Sequence, residues 1–465
     1  MKPITRLSGL AGGSLDAIGA AFADIPRLLH HQSHRIAITG LQRAGKTVFV
    51  TSFTHALLHA ADAPPEAFPF FPWRGQVQDV TVEDIPGIPR FPYGERLDDL
   101  LADPPKWPDP TIGLTGLRVR LHYTPTAALT RRVLPRATLD LDLIDYPGEW
   151  LLDLPMLSLS FHEWSRQMEE LAGAGSRAAL SSEWLAQAQG FDPDAKENAF
   201  ELARIGGSYL DYLKRCRAEN LYYLQPGRFV TSSFGSQLDT TFFPLSRAKS
   251  AKAGSNAAAL IRRYEAYRKQ VRRFYREVFG RLRRQVVLVD LLTALQHGRE
   301  SFADIALAMR TISEAFENLK GPLQKLLPLG GADRLALVAT KADHVTADQI
   351  NNLKGLLHEI IGIPFMRAKA SNADLLAVAS VRATTQSTRN WKGQDYPFLR
   401  GIPEGRGADA IEVQPGVIPG QIPDKAQWGE LDLNIRTFAP PRLGIPYERP
   451  LPHINLDKVL QLLIA

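Results

Sequence analysis

The sequence predicts an α/β protein: a mostly parallel sheet flanked by helices, with an α-helical subdomain inserted in mid-chain. Three observations carry this. A short apolar run, Ile36 to Ile38, leads through "GLQRAGKT" (residues 40–47) into a stretch carrying Val48, Phe49, Phe53, Leu57 and Leu58, which reads as strand, Gly-bounded loop and helix. Three later apolar runs, "QVVLVDLL" (285–292), "RLALVAT" (334–340) and "LLAVAS" (375–380), alternate with helical patterns near 300–325 and 347–362. That alternation is the mark of parallel strands with helices on the sheet faces. Between these halves the pattern is helical throughout.

Taken in order, residues 1–33 hold an amphipathic helix in which Leu15, Ile18, Phe22, Ile25 and Leu29 share one face. An interfacial membrane helix would carry more Lys and Arg on its polar face, so packing on the main domain is the plainer reading. Residues 34–150 form the first half of the sheet domain. Within it, Pro64 to Pro110 is dense in proline and aromatic residues and reads as a long ordered loop, while "LRVRLHYTP" (117–125) and "TLDLDLID" (138–145) alternate as neighbouring strands. Residues 151–284 are the helical insertion and 285–385 the second half of the sheet domain. The segment 386–465 is a Pro-rich extension with ten prolines between 386 and 452, strand-like only at "ELDLNIRTF" (430–438), and it closes on a short helix.

Composition narrows the function. The 465 residues are 45% hydrophobic and 22% charged, with one cysteine, Cys216, which excludes an intrachain disulfide framework and suits a reducing compartment. No apolar run approaches the length of a spanning helix, and Asp16 and Asp24 interrupt the N-terminus, so a cytoplasmic protein is expected, with peripheral attachment at the inner membrane left open. The net charge of +6 is local: ten Arg or Lys residues against Glu265 and Glu277 lie between Arg262 and Arg284, a balance of +8, and the rest of the chain stands at −2. Leu260, Tyr264, Tyr267, Val271, Phe274, Val278 and Leu282 step at helical spacing, so this basic helix (260–284) buries one face. Its arginines are a solvated face, a surface for anionic lipid or an acidic membrane-protein partner, or, least in keeping with the overall charge, a nucleic-acid surface.

"GLQRAGKT" has the spacing of a phosphate-binding loop. Gly40, Gln42, Arg43, Ala44, Gly45, Lys46, Thr47 and Val48 are the expected phosphate contacts; Lys46 would reach the β/γ oxygens and the Thr47 hydroxyl would hold Mg²⁺. A carboxylate near the ion is offered twice, by Asp84 in "VEDIPG" and by Asp145 in "LIDYPGEW". Asp145 ends the stronger strand, and a strand end positions a metal ligand better than a loop does. Gly148 would admit its backbone N–H to the γ-phosphate. Thr111 in "DPTIG" would close onto Mg²⁺ and the γ-phosphate. In "TKAD", Thr340, Lys341 and Asp343 would select the base, since one carboxylate accepts from both N1–H and the 2-amino group of guanine.

In order, GLQRAGKT, DPT, DYPG, TKAD and "ASVRA" with Ser380 and Val381 resemble the five signature stretches of Ras-like GTPases. The pieces "DYPGEWLLDLP" and "RRQVVLVDLL" resemble more specifically the YcjX-like bacterial P-loop GTPases. The resemblance implies a Ras-like domain with a helical insertion, binding and hydrolysis of GTP to GDP, and a role in bacterial stress response beside a membrane-protein partner. Thr340 stands where Asn is usual, and Glu149 where Ras-like enzymes carry the Gln that orients water. Glu149 could act as a base if its charge is offset, for which Arg43 of the phosphate loop is the candidate; a solvent-exposed Arg43 is the alternative. An ATPase of the same fold and a nucleotide-stabilised scaffold with little turnover are the other readings. His55 and His59, four apart, lack the Glu of a zinc helix, so metal binding is not expected there.

Overall fold

The computed structural model describes residues 31–59, 77–111, 113–124, 136–231, 241–248, 252–278, 282, 284–318, 334–368, 373–405, 409–444, 447 and 449–464. The expected helix at 14–31 thus lies outside the described residues except at its last position, and there the chain is already extended. Strand β1 (His31–Gly40) begins at His31, so residues 31–33 belong to the sheet rather than to a helix.

Helix α1 (Lys46–His59) follows β1 and the phosphate loop; then come β2 (Val77–Glu83), α2 (Tyr93–Leu101), β3 (Thr115–Tyr123) and β4 (Ala137–Asp145). The loop expected over 64–110 is thereby corrected from Val77 onward, and 64–76 lies outside the described residues. Pro and aromatic density obscured β2, which pairs antiparallel with β3, and α2, which packs Leu100 into a small apolar cluster with Val381 and Leu451. The strands at 115–123 and 137–145 do pair as antiparallel neighbours, from Thr115 opposite Asp145 to Tyr123 opposite Ala137.

After β4 come two 3₁₀ turns and then α3 (Phe161–Ala172), α4 (Arg177–Gly190), α5 (Ala199–Ala218), α6 (Gly227–Thr231) and α7 (Asn256–Val278). The chain returns to the sheet with β5 (Arg284–Val289), α8 (Leu291–Gln296), α9 (Arg299–Asn318), β6 (Arg334–Ala339), α10 (Ile350–Ala368, kinked at Gly362) and β7 (Ala373–Ala377). The seven strands lie in the order β2-β3-β4-β1-β5-β6-β7, and β4, β1, β5, β6 and β7 run parallel to one another. This is a Ras-like P-loop sheet, α/β and mostly parallel.

Alternation along the strands sorts two cores. Ile36, Ile38, Leu139, Leu141, Leu143, Val286, Leu288, Ala336 and Val338 face α1 and the terminal helix α12 (Leu456–Ile464); Val287, Val289, Leu335, Leu337 and Ala339 face the opposite cluster, which includes the inserted helices. In α1, Phe49, Val50, Phe53, Ala56 and Leu57 are sealed, each large side chain contributing about 1.5–3 kcal/mol, so the helix that starts at Lys46 cannot swing. On β3 and β4 the alternation is ionic instead: Arg118 forks onto Asp142 and Arg120 onto Asp140.

In the tail, β8 (Thr385–Trp391), β9 (Gln394–Gly401) and β10 (Ile411–Val413) form an antiparallel sheet, followed by the single turn α11 (Gln427–Glu430). "ELDLNIRTF" forms no strand; only Phe438 makes a bridge, to Pro403. Leu433 and Ile435 pack against the main apolar core, and Phe438 is buried against Gly401 and Ala383. Among the described residues no helix is long and apolar enough to cross a membrane. In α7, Leu260, Tyr264, Tyr267 and Val271 are buried, while Arg262 pairs with Glu197, Arg268 with Glu265, and Arg263 donates to the Thr241 carbonyl.

Candidate nucleotide-binding site

Four parallel strands end along one edge: β1 at Gly40, β4 at Asp145, β5 before Asp290 and β6 before Thr340. In open α/β sheets that edge is where ligands sit. The phosphate loop turns there, with Ala44 N–H on the Leu41 carbonyl, and it places Arg43 at φ 61° and Gly45 at φ 71°. Left-handed residues alternating with the ordinary Ala44 aim their N–H groups inward as an anion nest, closed by the free amides of the first turn of α1. Gly45 is required because side chains other than Asn and Asp rarely tolerate that φ.

Lys46 Nζ lies 2.6 Å from Asp145 Oδ1, and Thr47 Oγ1 lies 3.1 Å from Thr111 Oγ1 while accepting the Thr111 N–H at 3.2 Å. Four of the expected residues thus meet in one place. Burial pushes the Asp145 carboxyl up from its ordinary range; the Lys46 ammonium and the Thr111 hydroxyl pull the other way. Asp84 is exposed and paired with Arg90, away from the loop. Two hydroxyls and one carboxylate are hard oxygen donors, a set that suits Mg²⁺ and leaves its remaining positions to water and phosphate.

Gly148 lies against the start of the loop. A Cβ there would fall 2.2 Å from the Gly40 carbonyl oxygen and 2.7 Å from the Leu41 nitrogen, so only glycine lets β4's exit pack beneath the nest. Glu149 is buried beside it, and the cation that meets it is Arg217, whose Nη2 is 3.2 Å from Glu149 Oε1. The side chain of Arg43 instead donates to Asn220 Oδ1 at 2.5 Å, and Gln42 bridges Arg217 Nε (3.1 Å) and the Leu221 carbonyl (3.3 Å). Of the two readings of Arg43, the one in which it neutralises Glu149 is corrected and the exposed loop residue is what the structure shows, its side chain turned to Asn220 of the insertion. Gln42 and Arg43 offer the cleft their backbone amides, since their side chains anchor the turn after α5.

In the "TKAD" loop, Thr340 N–H and Oγ1 both donate to the Val289 carbonyl, tying the loop to β5. Lys341, at φ 60°, sets its ammonium 2.5 Å from Asp290 Oδ2, and Asp290 also caps α8 through Thr293 N–H. Asp343 is buried. Against the desolvation this imposes, His344 Nδ1 and the Ala383 N–H hold its carboxyl below the ordinary range. The Ser380 carbonyl accepts from the Ser52 hydroxyl at the back of α1, and Val381 packs with Val48. Ala379 bridges Ile454, and Asn455 Nδ2 donates to the Ala377 carbonyl, so the tail braces this loop.

Residues 40–48, Thr111, Glu149, Thr340, Lys341, Asp343, Ser380 and Val381 line one cleft of about 840 Å³, joined by Trp107, Phe438 and Arg217, while Asp145 and Asp290 back it through Lys46 and Lys341. A wider groove, about 1810 Å³, lies within 403–437 of the tail and contains none of the phosphate loop. Sequence reading missed Asp290, Trp107, Phe438 and Arg217. Asp290 had a signal, an acid directly after an apolar run; Trp107 and Phe438 are 331 positions apart, joined by the Trp107 indole N–H on the Phe438 carbonyl, and Arg217 is one basic residue among many.

Loop, strand-end carboxylate and base-side loop on this sheet define the chain as a Ras-like P-loop protein. Its relatives narrow the class. The profile of the YcjX-like family, DUF463, matches residues 34–465, and the chain belongs to that family. It is similar to the Ras-like GTPase YcjX of Escherichia coli (strain K12), 37% identical over 449 residues covering 93% of this chain and 95% of the relative. It is also similar to the Ras-like GTPase YcjX of Shewanella oneidensis (strain MR-1), 30% identical over 468 residues covering 94% and 96%.

Proposed function

We propose that this chain is a Mg²⁺-dependent GTP-binding and GTP-hydrolysing switch of the cytoplasm, acting in the bacterial stress response that the family resemblance implies. The observation that supports this best is a single cleft with Lys46, Thr47 and Thr111 at one end, backed by Asp145 in contact with Lys46 and Thr111, and with the buried Asp343 carboxylate lining it as well. Lys46 exchanges Asp145 for the β/γ oxygens when triphosphate enters. Thr47, Thr111 and Asp145 hold Mg²⁺, which would neutralise the phosphate oxygens. Thr111 and the Gly148 N–H sense the γ-phosphate, so their loops are the switch elements. Asp343 accepts from guanine, while Lys341, braced by Asp290, flanks the base; Ser380 and Val381 close the loop behind it.

Calorimetry with GTP, GDP, ATP and XTP, with and without Mg²⁺, tests the reading. GTP and GDP should bind, and Asp343→Asn should lose on the order of 100-fold or more in GTP affinity, because two hydrogen bonds to a charged acceptor are removed. The same variant should gain relative affinity for XTP, whose 2-oxo group accepts where guanine donates. Equal binding of ATP and GTP by the wild type, unaltered by Asp343→Asn, would make the protein an ATPase. Tight GTP binding with no turnover would leave the scaffold.

A further inference from the structure

The helical insertion reaches the cleft at Arg217, Val230 and Thr231, and of these only Arg217 carries a charge. Arg217 sits in the last turn of α5, 39% exposed, with its Nε on Gln42 of the phosphate loop and its Nη2 3.2 Å from Glu149. A basic residue in a last helical turn is ordinarily explained by the helix dipole. That does not account for this one, because both of its contacts belong to the phosphate site and it lines the cleft with Lys46 and Thr47.

A second observation concerns Glu149. Its Oε1 is sealed from solvent and accepts no directed hydrogen bond; the guanidinium is near enough to attract it but not aligned to donate. A buried carboxylate oxygen without a donor is costly unless another group uses it. An attacking water, a donor of two hydrogen bonds, fits that need.

We propose that Arg217 is a catalytic residue for GTP hydrolysis, supplied in cis by the insertion: it shields Glu149 until triphosphate enters, then turns its guanidinium to the γ-phosphate and leaves Glu149 to hold the water. The proposal rests on the GTPase reading above. In the step, the water oxygen bonds to the γ-phosphorus as the bond from phosphorus to the β–γ bridging oxygen breaks. The leaving electron pair stays on GDP, and the water proton passes to Glu149 and then to the departing phosphate. Arg217, tethered through Gln42, is positioned for charge developing on the equatorial and bridging oxygens.

Full-length Arg217→Ala and Arg217→Lys, with folding checked by circular dichroism and melting temperature, are compared by single-turnover GTP hydrolysis, fluorescent GDP binding, and capture of GDP with aluminium fluoride. The expected result is a loss of roughly 10³-fold in hydrolysis rate for Arg217→Ala, GDP affinity within about threefold, and no stable aluminium fluoride complex. Arg217→Lys should recover only part of the rate, because a point charge lacks the guanidinium fork. A wild-type rate in Arg217→Ala, or equal losses in hydrolysis and GDP affinity, would overturn the proposal. Absence of hydrolysis in the wild type would instead overturn the GTPase reading, so the two failures are separable.

Discussion

Single atoms decide the geometry of the phosphate loop. Gly148 has ordinary backbone angles, so its need for glycine is not conformational; it is the 2.2 Å between a would-be Cβ and the Gly40 carbonyl oxygen. That neighbour is backbone at the end of a central strand and cannot yield. Gly148→Ala should therefore displace the nest, costing about 1–3 kcal/mol or more of stability. It should weaken GTP and GDP binding alike, since the phosphate cradle itself shifts. Chemical unfolding and GDP titration check this; a loss confined to GTP would return Gly148 to the role of γ-phosphate sensor alone. "DYPG" identified the glycine in the sequence. Its steric partner, 108 residues earlier, was not legible there.

Elements are coupled through the turn that leaves α5. Asn220 takes a left-handed φ of 57°, which ends the helix and presents its carbonyl to the Ser301 hydroxyl and its side chain to Arg43. Two residues on, the amides of Tyr222 and Tyr223 both donate to Asp304 Oδ2 on α9, and Arg177 of α4 closes on both oxygens of the same carboxylate at 2.9 Å. The whole pair is buried. Removing one partner of such a pair strands the other's charge, so Asp304→Ala should cost about 3–5 kcal/mol. It should also slow GTP hydrolysis, because the turn that carries Arg217 onto Gln42 loses its support. Urea unfolding and single-turnover assays measure the two effects, and an unmoved unfolding midpoint would mean that the insertion docks without this pair. Helical periodicity announced the helical character of 151–284 and a helix near 300–325, but not the individual helices α4 and α5. Which turn lies on the phosphate loop depends on a carboxylate 82 positions from the amide that donates to it, and no local pattern encodes that.

Across the whole molecule, the two faces of the sheet are closed by distant parts of the chain. α1 shares its face with α12, where Leu456, Val459, Leu460 and Leu463 are all buried, while the insertion, α9 and α10 cover the other. The last helix is thus core, and the strap before it braces the base-side loop through Ile454 and Asn455. Leu460→Ala should lower stability by about 2–5 kcal/mol, as a full cavity opens in a packed core. Guanine nucleotide should raise the melting temperature of this variant and of the wild type alike, since the site residues are untouched; a variant of wild-type stability would show that α12 is dispensable. By itself the sequence determined the local features: the phosphate loop, strand and helix periods, the acid at the end of β4, "TKAD", and the helical nature of 151–284. These are set by spacing of 2, 3.6 or a few residues along one stretch of backbone. The tertiary structure alone decided that Glu149 faces Arg217 rather than Arg43, that Trp107 meets Phe438, and that the Pro-rich tail folds into a sheet against the cleft. Those pairings follow from which surfaces remain to be buried once the strands are ordered, and that order is a property of the packed whole.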